Sequence, residues 1–244
     1  MPSTLVHVAV GGLLGAGRLG AGFDKRAAAV VVVAAALPDV DTFAGFVLPG
    51  AHRALLHTFL LPAVLVALVA YDTRVRSVSR LRTRFGSRGV RLAWVGIVAL
   101  VGGGILPDLF ANGVNAFYPV HDAFYTVNGR LYLSNQQGLV QTFVDVSPAE
   151  PARTTRNFHY STGADPSPGA EPENVERIFP VAMSGIQLML LVLSAFVVGV
   201  RLRENGRRDK VTASKSESES DARSGRETET DAGATRATTG RDSS

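Results

Sequence analysis

Residues 37–60 read LPDVDTFAGFVLPGAHRALLHTFL. Two carboxylates, Asp39 and Asp41, close one apolar run, and two histidines, His52 and His57, open the next. An ionisable group placed in hydrocarbon is expensive, so such residues inside apolar segments mark a functional site or pair with one another. The stretch therefore predicts half of a metal site at one face of a membrane protein.

The chain around it has 244 residues, 46% of them hydrophobic, and a formal net charge of +4. That length predicts one domain with appendages. Apolar segments lie near residues 4–22, 27–48, 54–71, 92–110 and 179–200, and polar or arginine-rich links separate them. A bilayer-spanning helix needs roughly 20 apolar residues. The last segment meets that cleanly, whereas the others are shorter or carry polar residues near one end. Together they predict an all-α membrane protein, a bundle of about five transmembrane helices within residues 1–204. From residue 205 to 244 the composition turns to Ser, Thr, Glu, Asp, Arg and Gly. Such a segment cannot bury enough apolar surface to fold and is expected to be a disordered tail. The N-terminus, MPSTLVHVAV, lacks the positive region of a cleaved signal peptide and is expected to be a retained span. The chain has no cysteine, which excludes disulfides, thiolate metal sites and cysteine nucleophiles. Basic residues interleaved with apolar spans do not argue for nucleic acid, and membrane lipids are the expected partners.

The basic links predict orientation. Arg74, Arg76, Arg80, Arg82, Arg84, Arg88 and Arg91 fall in one connection, opposed by Asp72. The positive-inside rule makes that connection cytoplasmic. Lys25 and Arg26 lie two spans earlier, and Arg201, Arg203, Arg207, Arg208 and Lys210 follow the last span, so an odd number of spans puts all three on one side. A cell-membrane protein follows, with its N-terminus extracytoplasmic and its C-terminus cytoplasmic. The connection 111–178 then lies outside. In it, Phe124–Val127, Asn128-Gly129 and Arg130–Leu133 read as a hairpin with a type I′ turn. Gly138–Val146 reads as a third strand, completing a small extracytoplasmic β element. Residues 147–175, rich in Pro, Ser and Glu, read as a mobile loop.

The arginines alone set this topology, yet His7, Asp39, Asp41, His52, Arg53, His57 and Asp108 all arrive at the outer face. Imidazole with carboxylate suits Zn²⁺ first, with Mn²⁺ or Fe²⁺ as alternatives. Candidate metal ligands are His7, Asp39, His52, His57 and Asp108. His52 and His57 would stand about 140° apart on one helix, so both ligate only if His52 precedes the helix. Asp39 and Asp41 likewise diverge on a helix, which leaves one of them to orient a histidine from behind. Arg53 is a candidate to stabilise an anionic substrate or transition state, and Asp41 a candidate catalytic carboxylate. Leu106-Pro107-Asp108 echoes Leu37-Pro38-Asp39, and each proline helps turn the chain. Read singly, His7 is an interfacial residue, Asp41 a cap, and His121-Asp122 a solvated loop pair.

The arrangement resembles the membrane-bound, metal-dependent hydrolase family, also described as LexA-binding, inner-membrane-associated hydrolases. The resemblance rests on His7, Leu37-Pro38-Asp39-Val40-Asp41, His52-Arg53 with His57-Thr58, Leu106-Pro107-Asp108, Asn112-Gly113-Val114 and Phe117-Tyr118-Pro119. It covers roughly residues 1–122. It implies a divalent metal and a hydrolase acting at the membrane. The family's likeness to zinc-dependent phospholipase C further implies a phosphodiester or lipid-linked substrate. In the family a histidine usually precedes the fourth-span aspartate by four residues. Here that position is Gly104, with His121 the nearest replacement. The alternative is a non-catalytic membrane scaffold or binding protein with a degenerate metal site.

Overall fold

The computed structural model describes residues 3–48, 50–143, 152–167, 169–171 and 173–238. Residues 1–201 form one compact unit and residues 202–244 a second. The first unit is a helical membrane bundle. Helix α1 (Thr4–Leu19) is followed by α2 (Lys25–Ala36), a 3-10 turn over Leu37–Val40, and the short α3 (Asp41–Ala44). Turns and bends occupy residues 50–58. Helix α4 (Leu60–Ala70) then runs into a π turn, Tyr71–Val75. Helix α5 (Arg80–Ala99), beyond a kink at Gly86, forms one rod with a π turn over Leu100–Ile105 and α6 (Leu106–Ala111). After the long connection that follows α6, α7 starts at Gly185.

Among the described residues, four helical stretches are long and apolar enough to cross a membrane: Thr4–Gly22, Lys25–Ala44, Arg80–Ala111 and Gly185–Arg208. The expected third span, 54–71, is corrected on two counts. Its helix begins at Leu60, and it comprises eleven residues of α-helix and a five-residue π turn. Its start is lost because the amide of Leu56 and the ring of His57 turn back onto Asp41. The helix still carries the chain from one end of the bundle to the other. Phe59 at its start donates its amide to Ala116, while Asp72 at its far end accepts from the amides of Arg80 and Leu81.

Capping follows the sequence. Asp24 accepts from the amide of Ala27 at 2.8 Å and starts α2, and Ser79 accepts from Arg82 to start α5. Arg88 bridges the two links: it pairs with Asp24 at 2.6 Å and donates to the carbonyl of Gly22. Arg91 donates to the carbonyl of Arg18. The basic segments thus gather at one end of the bundle, opposite Asp39 and Asp108. Gly86 adopts φ 66°, ψ −173° and kinks α5 between its arginine-rich start and its apolar remainder.

Small residues set the packing, as expected where helices associate without a hydrophobic drive. Gly11 faces Ala35, Gly15 faces Val31, and Gly103 lies against the backbone of Gly11 and His7. Helix α7 docks on α1 through Ser194, whose hydroxyl donates to the carbonyl of Ala9 at 2.9 Å. Its Ile186, Met189 and Phe196 face outward.

The β element is a two-stranded antiparallel hairpin, β1 (Leu131–Ser134) and β2 (Gly138–Gln141), paired Leu131 with Gln141 and Ser134 with Gly138. The expected hairpin is therefore shifted by one strand. Its turn lies at residues 135–137, where the Ser134 hydroxyl accepts from the amides of Gln136 and Gln137 and Gly138 takes a positive φ. Residues 144–146 of the expected third strand lie outside the described residues. Residues 147–151, 168 and 172 of the expected loop also lie outside the described residues; within the rest, residues 152–167 fold back as a packed strap, held by Thr155 on Asp122 and Tyr160 on the Asn112 carbonyl. In the second unit the chain continues helical to Thr238. A single helix supplies no core, so the composition argument for residues 205–244 stands as an expectation.

A Cβ on Gly103 would lie 2.9 Å from Gly11 backbone atoms and 3.0 Å from the His7 carbonyl. Backbone cannot yield as a flexible side chain does. Gly103→Ala is expected to destabilise the bundle by about 1–3 kcal/mol, seen as a lowered thermal midpoint in detergent. An unchanged midpoint would mean that α1 does not approach so closely.

Candidate metal centre

Five elements meet at one end of the bundle. Helix α1 brings His7, and Thr4 lies one turn before it on the same face. The 3-10 turn brings Asp39, and α3 starts with Asp41. The turns over 50–58 bring His52, Arg53 and His57, and α6 brings Asp108. Pro38 and Pro107 occupy the first turns of their elements, where a missing amide hydrogen costs least.

His7, Asp41, His57 and Asp108 are each at most 1% exposed. His7 Nδ1 is 3.2 Å from an Asp39 oxygen, and its Nε2 is 3.5 Å from Asp108. His57 Nε2 is 3.0 Å from Asp108 and 3.6 Å from Asp39. Donor atoms of His7, Asp39 and Asp108 all fall within 4.8 Å of one another. Despite these short separations, both nitrogens of His7 and Nε2 of His57 have no hydrogen-bond partner among the described residues. One donor atom each from His7, Asp39 and Asp108 forms the close group, and His57 Nε2 adjoins it through Asp108 and Asp39.

Asp41 stands behind this cluster. One of its oxygens is 2.9 Å from His52 Nδ1, and the other is 2.9 Å from His57 Nδ1. The second oxygen also accepts from the Leu56 amide. An ionised carboxylate only accepts, so it fixes His57 with its proton on Nδ1. The lone pair of a neutral His57 then sits on Nε2 and faces Asp108 and Asp39. Two lone pairs 3.0 Å apart repel, and either a proton or a metal cation between them relieves the repulsion. This carboxylate–histidine arrangement is the one that orients histidine ligands in metal sites. Both Asp41 oxygens are committed to holding histidines, which is the geometry of a positioning residue rather than of a catalytic carboxylate.

His52 lies one layer out. Its Nδ1 contacts Asp41 and the Thr42 hydroxyl, and its ring meets His57 and Tyr160 edge-on. It is not among the converging donors. Asp39, with its side chain 17% exposed, is the open edge of the cluster, and the Thr4 hydroxyl donates to it. Arg53 is 1% exposed and donates from Nη2 to Asp108 at 2.6 Å. Its φ of 63° is rare for a residue with a side chain. The Asn115 amide holds that conformation by donating to the Arg53 carbonyl at 2.7 Å.

His121 does not replace a ligand. It pairs with Phe117 in the connection after α6, and its ring lies beside Tyr125. Asp122 ties down the strap: it accepts from the amide and hydroxyl of Thr155 and from the side-chain amide of Asn115. Burial pushes its carboxyl up, but these hydrogen bonds outweigh burial and hold it below the usual carboxylate range. Sequence reading missed three contributors. Thr4 could have been found from its spacing to His7, and Thr42 from its neighbour Asp41. Tyr160, whose ring lies 4.6 Å from the Arg53 guanidinium, had no signal in its loop.

Gly104 leaves no space for the histidine the family resemblance implies. A Cβ there would lie 2.7 Å from Pro38 Cγ and 2.8 Å from the Ala35 carbonyl. The rod is pressed against the turn that presents Asp39, and glycine permits that approach. Gly104→His is therefore expected to lower the yield of folded protein, read by size exclusion in detergent, and to add no ligand. A well-folded variant with tighter metal binding would show that the packing gives way.

A family model, the YdjM inner membrane protein family, matches residues 1–167. No curated protein and no solved structure matches. The matched stretch contains every residue of the cluster and extends past the 1–122 of the motif resemblance, through Tyr160 to the end of the strap. The chain belongs to the YdjM inner membrane protein family.

Proposed function

We propose that this protein is a membrane-embedded, metal-dependent hydrolase whose divalent cation is held by His7, Asp39, His57 and Asp108. The observation that carries the reading is the set of buried imidazole nitrogens that face carboxylate oxygens without a hydrogen bond. Charge supports it. Asp39, Asp41 and Asp108 set against Arg53 leave two negative charges in a buried site, which one divalent cation neutralises. The nitrogen and oxygen donors favour Zn²⁺, with Mn²⁺ or Fe²⁺ as alternatives. Bound there, the cation supplies Lewis acidity and acidifies water for attack at neutral pH. Asp41 keeps His57 in the ligating tautomer, and His52 shares that carboxylate. Asp39, at the open edge, is the carboxylate that meets an incoming substrate.

The family resemblance supplies the substrate class, a phosphodiester or a lipid-linked molecule. The arginine distribution favours an extracytoplasmic site, with the N-terminus outside and the C-terminus in the cytoplasm. Protein purified in detergent under metal-replete conditions is expected to carry about one metal ion per chain by elemental analysis. His57→Ala is expected to lose it, and Asp41→Asn to weaken binding about 10–100-fold. A metal-free wild type would favour the scaffold reading. Unchanged metal content in His57→Ala would remove His57 from the ligand set.

A further inference from the structure

Arg53 is satisfied on one side only. A guanidinium has five N–H donors in two planar forks. Here Nη2 serves Asp108, while Nε and Nη1 are buried and have no partner among the described residues. Each fork therefore keeps an open donor. Leaving charged donors unpaired in a closed site is costly, and the protein nevertheless holds Arg53 in a rare backbone conformation to place them there. The Tyr160 ring covers one face of the guanidinium. The Tyr160 hydroxyl donates to the Asn112 carbonyl at 2.6 Å, and Phe124 and Phe158 pack on its ring. Burial pushes the Tyr160 phenol up, against the pull of the Arg53 and Arg153 charges, so it stays protonated as that donor.

We propose that Arg53, closed over by Tyr160, is an oxoanion pocket that takes a phosphate-class group and presents it to the Asp39–Asp108 cluster. The proposal rests on the reading of that cluster as a reaction site. The two open nitrogens lie on different forks, so they meet a tetrahedral oxoanion through separate charge-assisted contacts, which the fixed planar donors of arginine direct better than a lysine ammonium does. The Asp108 oxygen that receives Nη2 is also the one 3.5 Å from His7, so an anion on the open donors lies beside the converging ligands. Two sources of the group share this chemistry, a soluble phosphate ester and a phospholipid headgroup. The exposed Val40, Phe43 and Phe46 lie next in sequence to Asp39 and offer an apolar border.

The test is isothermal titration of full-length protein in detergent with inorganic phosphate and with a short-chain phosphatidic acid. The matching diacylglycerol is the control, and metal content is measured on the same samples. Wild type is expected to bind one or both phosphate ligands and not the diacylglycerol. Arg53→Lys, which keeps the charge and loses the fork, is expected to weaken binding about ten-fold or more. Tyr160→Leu is expected to weaken it by a smaller factor. Arg53→Gln is a third variant; if it fails to fold, the other two carry the test. Tighter binding of the lipid identifies a headgroup, and equal binding identifies a soluble ester. No phosphate binding by wild type, or equal affinity in Arg53→Lys and Tyr160→Leu, overturns the proposal. Arg53-dependent binding in metal-free protein would sustain the pocket and remove the metal reading. Metal-loaded protein with Arg53-independent binding would do the reverse.

Discussion

Three aspartates gathered against one arginine, two of them buried and Asp39 at the open edge, set the terms for this end of the molecule. Like charges at these distances are unfavourable unless other groups compensate. The protein answers with geometry. Asp41 is divided between two histidines, Asp108 between Arg53 and two histidines, and Asp39 takes the Thr4 hydroxyl and the remaining imidazole edges. Each contact draws in a different element. The charge cluster therefore fixes where α1, the 3-10 turn, the turns over 50–58 and α6 stand relative to one another.

The glycines on the other side of this junction make it possible. Gly11, Gly103 and Gly104 let three backbones approach at distances that a methyl group would forbid. That approach brings His7 onto the same layer as Asp39 and Asp108. Packing and chemistry are thus one design. The position that might have carried a further ligand is the one the fold needs empty.

Much of this was legible in the sequence. Apolar runs broken by Asp39, Asp41, His57 and Asp108 announce themselves, because hydrocarbon excludes such residues unless they serve a purpose. The basic links then forecast which ends share a side, and Arg88 on Asp24 is the physical form of that forecast. Other features were hidden. Residues 54–56 are as apolar as the helix that follows, so nothing in their composition shows that Asp41 bends them into turns. Asn128-Gly129 is a strong local hairpin signal, yet Gly129 packs on the Phe143 backbone and the turn forms at Ser134. Tyr160 belongs to no periodic pattern. Its role comes from Asp122 and Asn115, which fasten the strap from elsewhere in the chain.

The brevity of α4 has a consequence for the lipid around it. Eleven α-helical residues and a five-residue π turn rise roughly 24 Å, against about 30 Å of bilayer hydrocarbon. Val64, Val66 and Leu68 face outward along its length. Hydrophobic mismatch of this size thins the bilayer locally at a cost of fractions of a kcal/mol per Å. A span this short is expected to draw the headgroup layer toward the end of α4 where His57 and Thr58 stand, and so to bring the polar skin of the membrane nearer a site that longer helices would hold in hydrocarbon.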